Sequence, residues 1–99
     1  MTAHTQGPWT VNTQADYPNP RIDGPNGRAV GHAIQRDPHP ATGQGITPAE
    51  AMANARLMAS GPELLEALHG LLNALPSATT HPAIKSARAA ISRATGERE

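Results

Sequence analysis

The segment NARLMASGPELLEAL, which begins at Asn54, contains an amide and a guanidinium among apolar residues. Arg56 carries a planar, permanently charged fork that matches phosphate and carboxylate oxygens. One hypothesis is therefore that Arg56 and Asn54 bind an anionic ligand. The alternative for Arg56 is an ion pair with Glu63 or Asp37, and the alternative for Asn54 is a hydrogen bond with Glu50, one helical turn away.

A second candidate for anion binding is the stretch GQGITPAE, in which Gly43 and Gly45 precede Thr47 and a predicted helix start. Free backbone amides at a helix N-terminus attract phosphate or carboxylate groups. A second proline-started helix follows Gly61 and offers similar amides. GQGITPAE lacks the lysine and the full spacing of a nucleotide-hydrolysing P-loop, so an ordinary flexible loop is the simpler explanation of it.

Trp9 is the single tryptophan of the chain. An anchor in the core or in an interface is the simpler role for it, because one tryptophan supplies a large share of the burial in a core with few large side chains. The alternative is a platform on which a nucleotide base stacks. The predicted ligand-binding set comprises Arg56, Trp9, Asn54, Thr47, Gly45 and Gly61.

Catalytic and metal-binding chemistry find little support in the sequence. Cysteine is absent, and no serine lies in a recognisable nucleophile elbow. The five histidines show no paired helical spacing, and Asp37 with His39 makes only two metal ligands in a proline-rich loop. We therefore predict a protein that is not an enzyme and has neither a metal nor a cofactor.

Composition predicts a single domain with a thin core. The 99 residues include no phenylalanine, one tryptophan and one tyrosine. A chain of this size buries a smaller fraction of its surface than a larger one, and small cores often depend on a partner subunit. We expect a homo-oligomer, most simply a dimer.

Charge and hydropathy limit the other partners. Eight basic residues balance eight acidic ones, and no run of lysine or arginine could neutralise successive phosphates of a long nucleic acid. No apolar stretch approaches the roughly 20 residues that span a bilayer, and the N-terminal residues lack a basic segment followed by an apolar one. We expect a cytoplasmic protein, in the cytosol of a host cell, that contacts neither long nucleic acid nor membrane.

The pattern predicts an α+β fold, in which a small three-stranded antiparallel sheet is followed by three helices, with one layer of helix packed on the sheet. A flexible N-terminus (1–6) precedes a β-region (7–36), a loop (37–46), a helical region (47–95) and a frayed tail (96–99). The predicted strands lie in PWTVN, at Arg21 to Asp23, and from Arg28 to Gln35, with a turn at 24–27. The small side chains of the third strand are expected to face a helix, while His32 shares the other face with larger apolar residues.

Three proline-started helices are predicted. Thr47 caps the first, which runs to Ala59, and Ser60 or Gly61 caps the second. The second has leucines spaced four, three and four residues apart, with its polar residues opposite; the third begins at Pro82. Because the first helix is apolar on two faces, we expect Asn54 and Arg56 on the narrow flanks between two covered sides.

Two segments, HTQGPW at the N-terminus and NARLMASGPELLEAL, resemble a widespread set of short proteins from tailed phages and prophages. Those proteins have an HTPGPW-like start and an NARLIAAAPELLEAL-like helix pair. This chain departs from the pattern at Gln6, at Met58 and at the pair Ser60 and Gly61. The resemblance implies a phage-carried accessory protein, but no particular activity.

Two functions fit a phage protein without evident catalytic residues. The first is a counter-defence protein that binds and sequesters a nucleotide-derived host immune signal, of the cyclic nucleotide or ADP-ribose type, in a site between subunits. The second is a small protein-interaction module that inhibits or redirects a host protein through its leucine-rich helix or a sheet edge. We expect the first, by analogy with other small phage proteins.

Overall fold

The computed structural model describes residues 4–13, 19–75 and 80–96. Within these residues, a three-stranded antiparallel sheet precedes three helices, so the predicted α+β fold is confirmed. The sequence-based expectations for residues 1–3 and 97–99, at the two ends of the chain, lie outside the described residues. The elements are β1 (Thr10–Asn12), β2 (Arg21–Asp23), β3 (Ala29–His32), α1 (Pro48–Ala59), α2 (Gly61–Ala74) and α3 (Pro82–Thr95).

The sheet has the strand order β1-β2-β3, with β2 in the centre. Val11 pairs with Ile22, which in turn pairs with Gly31. Ile22 is only 1% exposed and belongs to the core, together with Ala33 at 3%. The prediction that the small side chains following β3 face a helix therefore holds for Ala33. On the other face, Val30 is exposed to solvent.

Strand β3 is shorter than predicted, since it ends at His32 and not at Gln35. Central strand β2 begins at Arg21, which pairs with His32, so the regular ladder between the two strands ends there. The Ala33 amide still donates to the Pro20 carbonyl at 2.9 Å, but the Gln35 amide donates to the side-chain oxygen of Asn19 at 2.7 Å. A side chain therefore takes the place of a neighbouring strand.

Helix α1 begins at Pro48, as predicted, because Thr47 caps it. The Thr47 hydroxyl oxygen accepts a hydrogen bond from the Glu50 amide at 3.1 Å. Three alanines spaced four residues apart share one face of the helix and are buried against the sheet. Their small side chains allow the helix to lie close to β1 and β2, and they are Ala51, Ala55 and Ala59.

Helices α1 and α2 are distinct, as predicted, but the junction is nearly helical. Ser60 has φ −81° and ψ −5°, its amide donates to the Arg56 carbonyl, and its own carbonyl accepts from the Leu64 amide. Ser60, one of the two residues predicted to cap α2, is its N-cap residue, but its side chain forms no capping hydrogen bond. The break comes instead from Pro62, which has no amide hydrogen to donate.

The second and third helices pack against each other beside the sheet layer. Ile91 of α3 is buried, whereas no residue of α2 is buried. The half-buried leucines of α2 are Leu65, Leu68 and Leu72, and Leu64 and Leu71 remain exposed. The most leucine-rich helix of the chain therefore contributes little to the core of this protomer.

The molecule is open for its length. Its radius of gyration is 16.9 Å, whereas a compact domain of 100 residues has about 13 Å. Among the described residues, six apolar side chains are buried, namely Ile22, Ala33, Ala51, Ala55, Ala59 and Ile91. The thin core expected from the composition is therefore present. In the described part of the chain, no helix is long and apolar enough to cross a membrane.

Candidate functional site

The predicted site residues at the start of α1 have structural roles. Gly45 lies in a loop that two hydrogen bonds between Arg36 and Ile46 close, at 3.0 and 2.8 Å. A Cβ atom on Gly45 would lie 2.8 Å from the Arg36 carbonyl oxygen and from the Pro38 nitrogen. The Thr47 hydroxyl caps α1. These contacts explain the glycine at position 45 and the threonine at position 47, so no ligand is needed to account for either residue.

Asn54 and Arg56 are both exposed, on opposite flanks of α1. Two residues in sequence lie about 200° apart around a helix, so the two side chains do not converge on one small ligand. Among the described residues, Arg56 forms no ion pair. The expected pairing of Arg56 with Glu63 or Asp37 is therefore absent, and neither flank is covered in this protomer.

Trp9 is half-buried against the core that includes Ala55 and Ala59. Its ring N–H donates to the Thr5 carbonyl at 3.0 Å. The ring of His4 meets it edge-on, with centroids 6.2 Å apart. The indole therefore anchors the N-terminal segment to the fold, as the simpler of the two hypotheses requires.

The N-terminal segment from His4 to Trp9 packs on the junction between α1 and α2. A Cβ atom added to Gly7 would lie 3.1 Å from the Cβ of Pro62, and one added to Gly61 would lie 4.0 Å from the Trp9 ring. The two segments that carry the phage resemblance are thus in contact. Of the predicted site residues, the structure brings together Trp9 and Gly61.

An open cleft of about 1180 Å³ lies where the N-terminal segment, α2 and the end of α3 meet. Its apolar lining includes Pro8 and Leu65. Five ionisable side chains also line the cleft: His4, Glu63, Glu66, His69 and Arg93. The cleft therefore presents acidic and basic groups beside apolar surface, and we call it the junction cleft.

The junction cleft was not predicted from the sequence. One signal was visible, because Glu63, Glu66 and His69 are spaced three residues apart and therefore follow one side of α2. No local pattern could have joined them to His4 and Arg93, which are 89 positions apart in the chain. Only the packing of α3 and the N-terminal segment on α2 brings them together.

A polar network that the sequence did not reveal lies on the sheet. Arg21 donates to both carboxylate oxygens of Asp23, at 2.7 and 3.1 Å, and the Asn12 side-chain amide donates to one of them at 3.0 Å. The hydrogen bonds from Arg21 and then from Asn12 lower the pKa of Asp23 below its usual 3.8. Asp23 is 8% exposed, so this network balances a buried charge.

The described residues contain no group of three or more His, Cys, Asp or Glu side chains arranged to hold a metal ion.

Comparison with known families supports a phage protein family. A family model described as Salmonella phage P22 protein Y8K6 matches residues 1–98. The chain belongs to this phage protein family. The match spans both the N-terminal segment and the helices that form the junction cleft. No curated protein and no solved structure matches the chain.

Proposed function

We propose that this member of the phage family is a non-enzymatic accessory protein that binds a segment of another protein in the junction cleft. The observation that carries the proposal is the cleft itself, which is open and has a mixed lining of charged and apolar groups. The proposal takes up the alternative function considered from the sequence, a protein-interaction module, and moves its binding surface from the leucine-rich helix or a sheet edge to the cleft.

The size of the cleft favours a polypeptide over a small molecule. Its volume of about 1180 Å³ exceeds the range of about 300 to 1,000 Å³ that is typical of ligand pockets. Glu63 and Glu66 would repel a polyphosphate, whereas a peptide can place a basic side chain beside them and an acidic one beside Arg93. A mixed lining therefore suits a partner that carries both charges.

Sequestration of a nucleotide-derived host immune signal is the second candidate function. The observation that favours it is Arg56, whose guanidinium is exposed and forms no ion pair with the described residues. An unpaired arginine is available to a phosphate, and a second subunit could supply the rest of the site. The predicted ligand would be a cyclic nucleotide or an ADP-ribose derivative.

Photo-crosslinking from two positions on α2 tests the first proposal. A photoreactive amino acid at position 69 lies in the junction cleft, and one at position 73 is its control, since Asn73 is exposed and does not line the cleft. Illumination of host cells that produce each variant should give a defined protein adduct from position 69 alone. Equal adducts from both positions, or none from position 69, would contradict the proposal.

A thermal-shift panel separates the two candidates. The panel contains cyclic dinucleotides, cyclic oligonucleotides, ADP-ribose isomers and NAD, because a ligand that binds only the folded form raises its melting temperature. If the nucleotide proposal is right, one of them stabilises the parent but not Arg56→Ala, which should itself melt near the parent temperature. A panel without any shift, combined with a specific adduct from position 69, would leave the protein-binding function.

A further inference from the structure

Three leucines lie along one side of α2, and a fourth follows at its C-cap; we call this row the leucine seam: Leu64, Leu68, Leu71 and the C-cap residue Leu75. Leu64 is 53% exposed, Leu71 is 59% exposed and Leu75 is 36% exposed. The spacing of four, three and four residues is that of the alternating apolar positions in a coiled coil. The seam therefore has the pattern of a helix that packs against another helix, and three of its leucines are exposed, whereas Leu68 is half-buried within the protomer.

The flanks of the leucine seam carry no charge. At about 100° per residue, the seam and its neighbours occupy roughly half of the circumference of α2, and these neighbours are all leucine, alanine or glycine. The polar half contains Glu63, Glu66, His69 and Asn73. A second helix could therefore lie along the seam without facing a charged residue of α2.

We propose that the leucine seam packs against the leucine seam of a second copy of the chain, forming a two-fold symmetric dimer. A surface that pairs with itself must not bring like charges together, and the seam meets this condition because it has none. On one side Ala67 and Ala74 border the seam, and their small side chains leave room for the second helix.

The surface area of the protomer agrees with a missing partner. The chain exposes 7487 Å², whereas a compact protein of its mass exposes about 5400 Å². The difference of about 2000 Å² is more than the roughly 800 Å² that each partner buries in a standard interface. Leu57 and Met58 of α1 are also exposed, at 66% and 41%.

The dimer does not depend on the proposed function. Glu66 and His69, which line the junction cleft, lie on the polar half of α2, away from the leucine seam. Both surfaces can therefore be occupied together, and failure of either proposal leaves the other to be tested separately.

Light scattering during size-exclusion chromatography tests the dimer. The parent at tens of micromolar should have the mass of two chains. Leu71→Glu should have the mass of one chain and an unchanged helical circular dichroism spectrum, because Leu71 is exposed in the protomer. Asn73→Glu, on the polar half of the same helix, is the matched control and should remain a dimer. A monomeric parent, or a dimeric Leu71→Glu, would overturn the proposal.

Disulfide trapping provides a test that does not require a destabilising change. The chain contains no cysteine, so a double variant Leu68→Cys and Leu71→Cys has thiols only at the centre of the seam. Mild oxidation should convert it to a covalent dimer whether the two helices run parallel or antiparallel. The control Glu66→Cys and Asn73→Cys should stay monomeric on a non-reducing gel. Failure of the seam variant to crosslink would refute the pairing.

Discussion

Because the core is thin, we predict a large loss of stability when Ile22 is truncated. Ile22 is the largest fully buried side chain among the described residues. Ile22→Ala removes three carbon groups, and at about 0.8 kcal/mol per group their transfer from water accounts for roughly 2.4 kcal/mol. The neighbouring Ala33, Ala55 and Ala59 cannot extend into the space that is left, so a cavity adds about 1 to 2 kcal/mol. We expect a loss near 4 kcal/mol, a large part of the roughly 5 to 15 kcal/mol that stabilises a typical domain.

Ile34→Ala is the matched control for this prediction. Ile34 is 51% exposed and does not belong to the core cluster, so its truncation should lower the free energy of unfolding by only about 1 kcal/mol. Urea unfolding followed by circular dichroism measures both losses. The variants must be compared at one protomer concentration, because the stability of a dimer depends on it. Equal losses for the two variants would refute the view that the core centres on Ile22.

Three further predictions concern the Asp23 network, Gly45 and Gly70. Because the folded-state pKa of Asp23 lies below the usual 3.8, its ionised form stabilises the fold above that pH, and the contribution disappears as the pH falls through the lowered pKa. The melting temperature should therefore fall below about pH 3.8, and Asp23→Asn should lack this part of the decrease. Gly45→Ala should destabilise the protein by about 1 to 3 kcal/mol, since its Cβ would meet the Arg36 carbonyl at 2.8 Å. Gly70→Ala should stabilise it by up to about 1 kcal/mol, since its Cβ would meet nothing within 4 Å; urea unfolding measures both.

Local signals predicted the helices well. The start of α1 could be predicted from Thr47 and Pro48, because a helix cap joins residues that are only three positions apart. The same holds for β2 and its turn, where Asn26 adopts the left-handed conformation with φ 64°, which asparagine tolerates better than most residues. Such features depend on neighbours in the sequence, so the sequence is sufficient to locate them.

Features that depend on distant contacts were predicted poorly. The end of β3 depends on where β2 begins and on Asn19, whose side-chain oxygen accepts the hydrogen bond of the Gln35 amide. The sequence offered Glu63 and Asp37 as possible charge partners of Arg56, but it could not specify a partner, because packing fixes which side chains meet. The junction cleft depends on the placement of the N-terminal segment and of α3, and neither has a pattern that specifies its neighbour.

The division of α2 into two sides relates the proposed dimer to the proposed function. One side carries the leucine seam, and the other carries Glu66 and His69 of the junction cleft. Pairing two chains through their seams therefore places the two clefts on the outer sides of the helix pair, where both stay open. A dimer of this kind could hold two copies of a protein segment at once. If the target is itself repeated or oligomeric, the second binding event becomes intramolecular, and the combined affinity exceeds that of one cleft by about 10² to 10⁴.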